Sequence, residues 1–120
     1  MSGKAVLDTN VVLDLLGDRL SPRNLPDVEL MVSVITELEL LSYPMLSLPE
    51  EKSIRKFLSN VEITGLSDEI KRKTIALRKS YRLKLPDAII CATAMVASAP
   101  LITNDKRLSK VAEISVLIPS

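Results

Sequence analysis

The feature that most constrains the fold of this chain is the alternation of short apolar runs with segments of helical periodicity. KAVLD at residues 4–8 is strand-like, and TNVVLDLLG follows it with apolar residues at helical spacing and a stop at Gly17. LMVSV at 30–34 is a second β-branched run, and TELELLSY after it predicts a helix broken at Pro44. Strands separated by helices predict a mainly parallel sheet with helices on both faces.

The rest of the chain continues this alternation. Its segments predict a capped helix from Ser47 to about residue 59, a strand at 61–64, a helix capped by Ser67, a helix opened by Pro86, a strand at 100–103, a short helix at 104–111 and a strand at 114–118. The helix DAIICATAMVAS is apolar nearly all round, which indicates a buried position. With no repeat or second domain visible, we expect one α/β domain over residues 1–120, with three layers in the order α/β/α.

The absence of histidine limits the chemistry of any active site. The 120 residues contain no histidine and one cysteine, Cys91. A Ser-His-Asp triad, a Cys-His pair and a zinc site with histidine ligands are therefore excluded, as is an intrachain disulfide. An enzyme with this composition must use carboxylates, lysine, tyrosine, hydroxyl groups or a hard metal ion.

The charges of the chain are unevenly distributed, although the formal net charge is only +1. The first 51 residues hold nine of the 15 acids, and a short later stretch holds seven of the 16 basic residues: Lys71, Arg72, Lys73, Arg78, Lys79, Arg82 and Lys84. This pattern predicts an acidic pocket beside a basic helix, or only a solvated helix face. The longest apolar stretch, near residues 88–99, is too short to span a bilayer, so we expect no membrane association.

Several acids lie at junctions between predicted elements. Asp8 follows the first strand, Glu37 and Glu39 lie just inside the helix after the second, and Asp105 follows the strand at 100–103. Asp87 begins the buried helix. Ligands of open α/β sheets bind beyond the carboxyl ends of the strands, so four junctions could present carboxylates to one cleft.

Each of these acids also has a purely structural interpretation. Asp8 and Asp105 could cap helices, Asp87 could complement a helix dipole, and Glu39 could close a capping box with Thr36. Four acids around one sheet edge are not needed for capping, however. Clustered carboxylates repel one another unless a cation compensates, and oxygen ligands without histidine suit Mg²⁺ or Mn²⁺. Such a site fits hydrolysis of phosphodiester bonds.

These residues resemble the motifs of the PIN domain family, and most closely those of VapC-like toxin ribonucleases. The matching pieces occur in family order and cover nearly the whole chain: VLDTNVVLDLL at 6–16, VSVITELELL at 32–41, KLPDAIICATAMV at 84–96 and LITNDKRL at 101–108. The segment LLSYP after Glu39 departs from the small residue that many relatives have there, which bears on partner and substrate contacts.

The resemblance implies a role for individual residues of the candidate site. It implies metal binding and catalysis by Asp8, Glu39, Asp87 and Asp105, with Asn10 and Thr103 as supporting polar groups. Glu37 is the alternative to Glu39, but residues two apart on a helix do not share a face. Only one of the two should therefore point into the cleft.

The resemblance also implies a function for the whole chain. It implies a PIN fold and a Mg²⁺- or Mn²⁺-dependent endoribonuclease, in which metal-activated water leaves a 5′-phosphate and a 3′-hydroxyl. A homodimer bound by a small antitoxin protein is part of the same expectation. The expected location is the cytoplasm, because the sequence shows neither a signal stretch nor a segment long enough to span a bilayer. The basic helix at 71–84 would steer the RNA backbone, with contacts from Lys71, Arg72, Arg78, Lys79 and Arg82.

Three other interpretations compete with a nuclease. A phospho-acceptor receiver domain would need paired acids early in the chain and a late lysine, for which Lys106 is a weak match. An aspartyl phosphatase would need a second aspartate where Asn10 stands. A non-catalytic PIN-like module that binds RNA or protein is the remaining alternative, and it would usually lack one of the four acids.

Overall fold

The computed structural model describes residues 3–119, which form an open sheet with helices on both faces. Within these residues the strands are β1 (Lys4–Leu7), β2 (Glu29–Ser33), β3 (Glu62–Thr64), β4 (Leu101–Ile102) and β5 (Val116–Leu117). The α-helices are α1 (Thr9–Leu16), α2 (Val34–Leu41), α3 (Leu48–Leu58), α4 (Asp68–Ser80) and α5 (Leu85–Ala97). Two 3₁₀ turns, Pro22–Asn24 and Lys106–Lys110, complete the described elements.

The order of the strands decides where a binding site can form. The sheet has the order β3-β2-β1-β4-β5, and all four strand pairings are parallel. The chain moves outward from β1 to β2 and β3 on one side, and from β4 to β5 on the other. β1 and β4 therefore flank the point where the direction of winding reverses, which is where open α/β sheets bind ligands.

The alternation of side chains along the strands builds two cores, one on each face of the sheet. Val6 and Met31 pack with α4 and α5, whereas Ala5, Leu7 and Val32 on the opposite face pack with α1 and α3. The helices contribute Ile70, Leu77, Ala88 and Ile90 to the first core and Val11, Val12, Ile54 and Leu58 to the second. The predicted three-layer α/β/α architecture with a parallel sheet is confirmed, as is the burial of α5.

The junction between β2 and α2 lies earlier than the sequence pattern predicts. Ser33 is the last residue of β2 and caps α2, because its side chain accepts a hydrogen bond from the backbone N–H of Ile35. The capping box considered for Thr36 and Glu39 is therefore wrong, since Thr36 lies inside the helix and is completely buried. Because both lie within α2 and are three positions apart, Thr36 and Glu39 lie on one side of the helix.

The basic stretch is not one continuous helix as the sequence pattern predicted. α4 ends at Ser80, and Tyr81 has the extended conformation φ −131°, ψ 153°. Arg82 and Lys84 therefore lie in the loop before α5. The predicted short helix after β4 is a 3₁₀ turn, and the last strand is shorter than predicted.

Within residues 3–119, no helix has both the length and the apolar character needed to cross a membrane.

Candidate active site

A cleft at the carboxyl end of the sheet brings together the four acids selected from the sequence. This acidic cleft has a volume of about 330 Å³ and is lined by Asp8, Glu39, Asp87 and Asp105. The acids come from four places in the fold: the end of β1, the middle of α2, the first turn of α5 and the segment after β4. The cleft therefore lies where the sheet topology predicts a ligand site.

Asp8 is the most enclosed of the four acids, with 5% of the residue exposed. One carboxylate oxygen accepts from the backbone N–H of Thr9 at 2.8 Å. The other accepts from the Thr103 hydroxyl at 2.6 Å and the Asn10 amide at 3.3 Å. Burial raises the pKa of Asp8 and outweighs the hydrogen bonds from Thr103 and Thr9, which lower it. The nearby charges of Asp87 and Glu39 raise this pKa further. Asp8 thus both caps α1 and carries a poorly solvated charge into the cleft.

Thr103 connects the segment after β4 to Asp8. Its side chain is completely buried, and its hydroxyl donates to Asp8 while it accepts from the backbone N–H of Asp105 at 3.0 Å. A second connection runs from the Asn104 backbone N–H to the Asn10 side-chain oxygen at 3.3 Å. The two supporting residues chosen from the sequence, Asn10 and Thr103, therefore hold the two strand ends together.

Glu39, and not Glu37, lines the acidic cleft. The Thr9 hydroxyl donates to a Glu39 carboxylate oxygen at 2.7 Å, and the hydroxyls of Thr9 and Thr36 lie 2.9 Å apart. Because Thr9 has one hydroxyl proton, Thr36 must donate in that second bond. The sequence pattern did not single out either threonine as a site residue. Thr9 directly follows Asp8 in the chain, and Thr36 lies on the same side of α2 as Glu39.

Asp87 is the acid with the most freedom to bind a ligand. It lies half-buried in the first turn of α5, and no hydrogen bond within residues 3–119 holds its carboxylate. Burial raises its pKa, the charges of Asp105 and Glu39 add to this, and Arg107 and Lys84 oppose it. The pKa of Asp87 therefore depends on both the acids and the cations that line the cleft.

Asp105 differs from the other acids because a guanidinium group neutralises it. Arg107 donates to its two carboxylate oxygens from Nε at 3.0 Å and Nη2 at 2.7 Å, and the Arg107 backbone N–H adds a third bond at 3.0 Å. These hydrogen bonds lower the pKa of Asp105. They also occupy three of the four acceptor positions that a carboxylate offers.

The donor set suits a hard divalent cation, although it is not a preformed cage. Among residues 3–119, no group of three or more acidic, cysteine or histidine side chains is arranged so that it could hold a metal ion as it stands. Mg²⁺ does not need such a cage, since it keeps several waters and often uses one or two carboxylates. Asp8 and Asp87 face the same cleft with raised pKa values, which a cation would reverse. Asp105 could join them once Arg107 moves aside.

The basic residues chosen from the sequence divide into two groups. Arg78, Lys79 and Arg82 line a groove at the end of α4. Lys71 and Arg72 are exposed earlier on α4, and Lys71 lies 3.8 Å from Asp68. The cations that line the acidic cleft itself are Lys84 and Arg107, which the sequence reasoning did not select as contacts. Cys91 is an unsuitable nucleophile, because burial raises the pKa of its thiol to about 12.

Comparison with known proteins assigns the chain to a family, because residues 5–114 match the PIN domain family. The chain belongs to the PIN domain family. No curated protein matches it. A chain of a toxin–antitoxin complex from Klebsiella pneumoniae is 32% identical, with a TM-score of 0.78 over 97% of this chain and 98% of that one.

Two further structures share the PIN fold at lower identity. A chain of VapBC2 from Rickettsia felis, bound to a promoter DNA fragment, has a TM-score of 0.85 at 20% identity, covering 98% of this chain and 99% of that one. A chain of DNA-bound VapBC from Salmonella typhimurium has a TM-score of 0.81 at 20% identity, covering 96% and 97%. At these identities the likeness shows the fold alone. The resemblance predicted from the four sequence pieces is confirmed.

Proposed function

We propose that this PIN domain is a metal-dependent endoribonuclease that acts as the toxin of a toxin–antitoxin pair. The observation that carries the proposal is the acidic cleft, to which four separate elements bring Asp8, Glu39, Asp87 and Asp105. Capping accounts for the position of Asp8 and Asp105 but for neither of the other two acids. Family membership supports a nuclease, and the oxygen-only ligands support Mg²⁺ or Mn²⁺.

The chain's own residues would orient the reaction. A bound Mg²⁺ or Mn²⁺ lowers the pKa of a water molecule and stabilises the charge that develops on the phosphate. Asp8 would hold the ion in a fixed position, because Thr9 and Thr103 restrain its two oxygens. Asp87 would complete the binding set. Thr9 would keep Glu39 directed into the cleft, as hydrogen bonds to metal ligands commonly do.

The substrate and products follow from the same proposal. The scissile phosphodiester of an RNA strand would lie against Asp8 and Asp87, with cleavage leaving a 5′-phosphate and a 3′-hydroxyl. Without histidine in the chain, the attacking water can transfer its proton to a carboxylate or to solvent. The cytoplasm, where RNA substrates are available, is the proposed location.

An apolar groove beside the acidic cleft supports an antitoxin partner. The groove is lined mainly by Leu16, Pro44, Met45, Leu46 and Ile54, with Arg19, Glu50 and Ser53 also present, and shares Leu13 and Tyr43 with the acidic cleft. Met45 is 98% exposed and Tyr43 is 45% exposed. A bound partner would remove these large side chains from water, which is favourable for apolar surface. A chain segment in this groove would lie next to the acids and block them.

A homodimer is part of the proposal, and sedimentation at micromolar concentration tests it. A monomer under those conditions would contradict the dimer without affecting the proposed chemistry.

The decisive experiment measures cleavage of a pool of cellular RNA by wild type and by Asp8→Asn, with Mn²⁺ and with EDTA. We expect Asp8→Asn to lower the rate about a hundredfold or more, since it removes a charge from a metal ligand and keeps the shape. Asp27→Asn is the matched control, because Asp27 is an exposed acid in the loop before β2. Cleavage that survives both Asp8→Asn and EDTA would contradict the proposal.

The same experiment tests the second candidate, a non-catalytic module that binds RNA or protein. The observation in its favour is the ion pair of Arg107 with Asp105, which occupies one of the four acids. Such a module would show no Mn²⁺-dependent cleavage by the wild type.

A further inference from the structure

A second, smaller cavity adjoins the acidic cleft on one side. Its volume is about 90 Å³, and four cations line it: Arg82, Lys84, Arg107 and Lys110. We refer to this cavity as the basic cleft. It shares Lys84 and Arg107, as well as Asp87 and Asp105, with the acidic cleft. The two cavities therefore adjoin each other at these four residues.

The basic cleft continues away from the acids into the groove at the end of α4. That groove shares Arg82, Leu83 and Lys84 with the basic cleft and adds Arg78 and Lys79, and no acid among residues 3–119 lines it. Ordered by the residues that they share, the cavities therefore change from four acids with two cations, to two acids with four cations, and then to four cations. The acidic cleft also adjoins the largely apolar groove, with which it shares Leu13 and Tyr43 and no cation.

The loop that carries two of these cations is anchored at both ends. The Tyr81 hydroxyl donates to Glu113 at 2.6 Å and accepts from the Ala112 backbone N–H at 3.1 Å. Leu83 is buried, and its carbonyl accepts from Arg78 Nε at 3.3 Å. Arg82 and Lys84 are exposed on either side of Leu83. Their main chain is therefore fixed, while their side chains remain available.

The available charge on this side is positive. Within residues 3–119, no salt bridge engages Arg82, Lys84 or Lys110, whereas Arg107 is paired with Asp105. If a cation replaced Arg107 at Asp105, the guanidinium would become free to bind phosphate at the boundary between the two cavities. Arginine is well suited to that role because its planar fork binds phosphate in a bidentate manner.

We propose that the basic cleft binds the phosphates of a single RNA strand that leaves the acidic cleft on this side. The inference rests on the ribonuclease function proposed above and adds the path of its substrate. A linear polyanion matches a row of cations that leads into the carboxylates, because one phosphate must reach the acids while its neighbours are neutralised. Lys71 and Arg72 lie outside this path. The scarcity of aromatic residues, 2% of the chain, means that phosphate contacts rather than base stacking provide the affinity.

The test measures RNA binding without cleavage. Fluorescence anisotropy of a labelled single-stranded RNA 12-mer is recorded in EDTA from 0.1 to 1 M salt, and a gel confirms that the RNA stays intact. The cleft variant is Arg82→Gln with Lys110→Gln. The control is Lys52→Gln with Lys56→Gln, which removes the same charge from exposed positions on α3, on the other face of the sheet.

The expected result follows from counterion release. Each lost phosphate contact on a single strand lowers the slope of log K against log salt by about 0.7, so two lost contacts change it by about 1.4. The affinity difference, small at 1 M salt, then reaches about 25-fold at 0.1 M. The control pair should change affinity less than about twofold, and an RNA duplex should bind more weakly than the single strand.

Three results would overturn the inference: equal effects of the two double variants, equal binding of the duplex, or equally tight binding of a poly-glutamate 12-mer. The last would show a site for an acidic protein segment instead. The outcomes separate this inference from the nuclease proposal. Wild type that binds RNA as expected but never cleaves with Mn²⁺ refutes only the nuclease. Wild type that cleaves while both double variants bind alike refutes only the basic cleft.

Discussion

Replacing Thr103 by valine removes two hydrogen bonds at the centre of the site and keeps the shape of the side chain. In the wild type the hydroxyl donates to Asp8 at 2.6 Å and accepts from the backbone N–H of Asp105 at 3.0 Å. Valine leaves the carboxylate of Asp8 without its strongest side-chain donor. It also leaves the Asp105 N–H without a partner, in a region where Thr103 itself is completely buried.

The expected loss of stability can be estimated from these two contacts. A hydrogen bond to a charged group contributes about 1.5–3 kcal/mol, and a partly buried N–H without a partner costs about 1 kcal/mol. Together they predict a decrease of about 3 kcal/mol in the free energy of unfolding at pH 7. For a domain of this size, that decrease lowers Tm by roughly 10 °C.

The loss should depend on pH because part of it requires an ionised Asp8. The Thr103 hydrogen bond lowers the pKa of Asp8, so valine raises a folded-state pKa that burial has already raised. For an acid with a raised folded-state pKa, the penalty is fully present above that pKa. The extra loss caused by valine therefore disappears as the pH falls below the folded-state pKa of Asp8 in the wild type, which itself lies above the ordinary value of 3.8. At pH 3.5 only the N–H contribution, about 1 kcal/mol, should remain.

Urea unfolding in EDTA at pH 7 and pH 3.5 measures both values. Thr103→Ser is the matched control, since it keeps the hydroxyl and loses only a buried methyl group, at a cost of about 1 kcal/mol. The reasoning would be refuted by a loss below about 0.5 kcal/mol at pH 7, by a loss that does not change with pH, or by equal losses for serine and valine.

Two further changes test how the other acids are held. Thr9→Val removes the donor to Glu39 and should lower kcat about tenfold with little change in KM, whereas Thr9→Ser should retain most activity. Steady-state cleavage assays measure both parameters, and an unchanged kcat for Thr9→Val would show that Thr9 does not position Glu39. Arg107→Ala frees Asp105 from its ion pair and should strengthen Mn²⁺ binding several-fold, because the metal and the guanidinium use the same carboxylate oxygens. Calorimetry without RNA measures this affinity, and weaker Mn²⁺ binding by the variant would argue against the competition.

The sequence by itself determined the elements and the identity of the acids. Periodicity and capping are short-range properties, so the helix after Asp8, the cap at Ser47 and the buried helix after Pro86 could be predicted and are present. The placement of acids at strand ends followed from the same local pattern. The parallel sheet and its α/β/α layers followed from the alternation of the elements.

Only the tertiary structure decided how distant groups meet at the cleft. The contacts of Thr103 with Asp8 and of Thr9 with Glu39 join residues far apart in the chain, and no local pattern encodes such pairs. Local competition also mattered. Ser33 rather than Thr36 caps α2, so Thr36 lies inside the helix and its hydroxyl is free to meet Thr9 beside the cleft.

The basic path shows the same division between local pattern and tertiary placement. Composition showed a run of cations, but the end of α4 at Ser80 moves Arg82 and Lys84 into a loop that Tyr81 anchors to the C-terminal segment. The strand order then places β4 beside β1, so that Arg107 and Lys110 face that loop across one small cavity. The charges were present in the sequence, and their arrangement beside the acids required the fold, because strand order and long-range packing are not readable from periodicity.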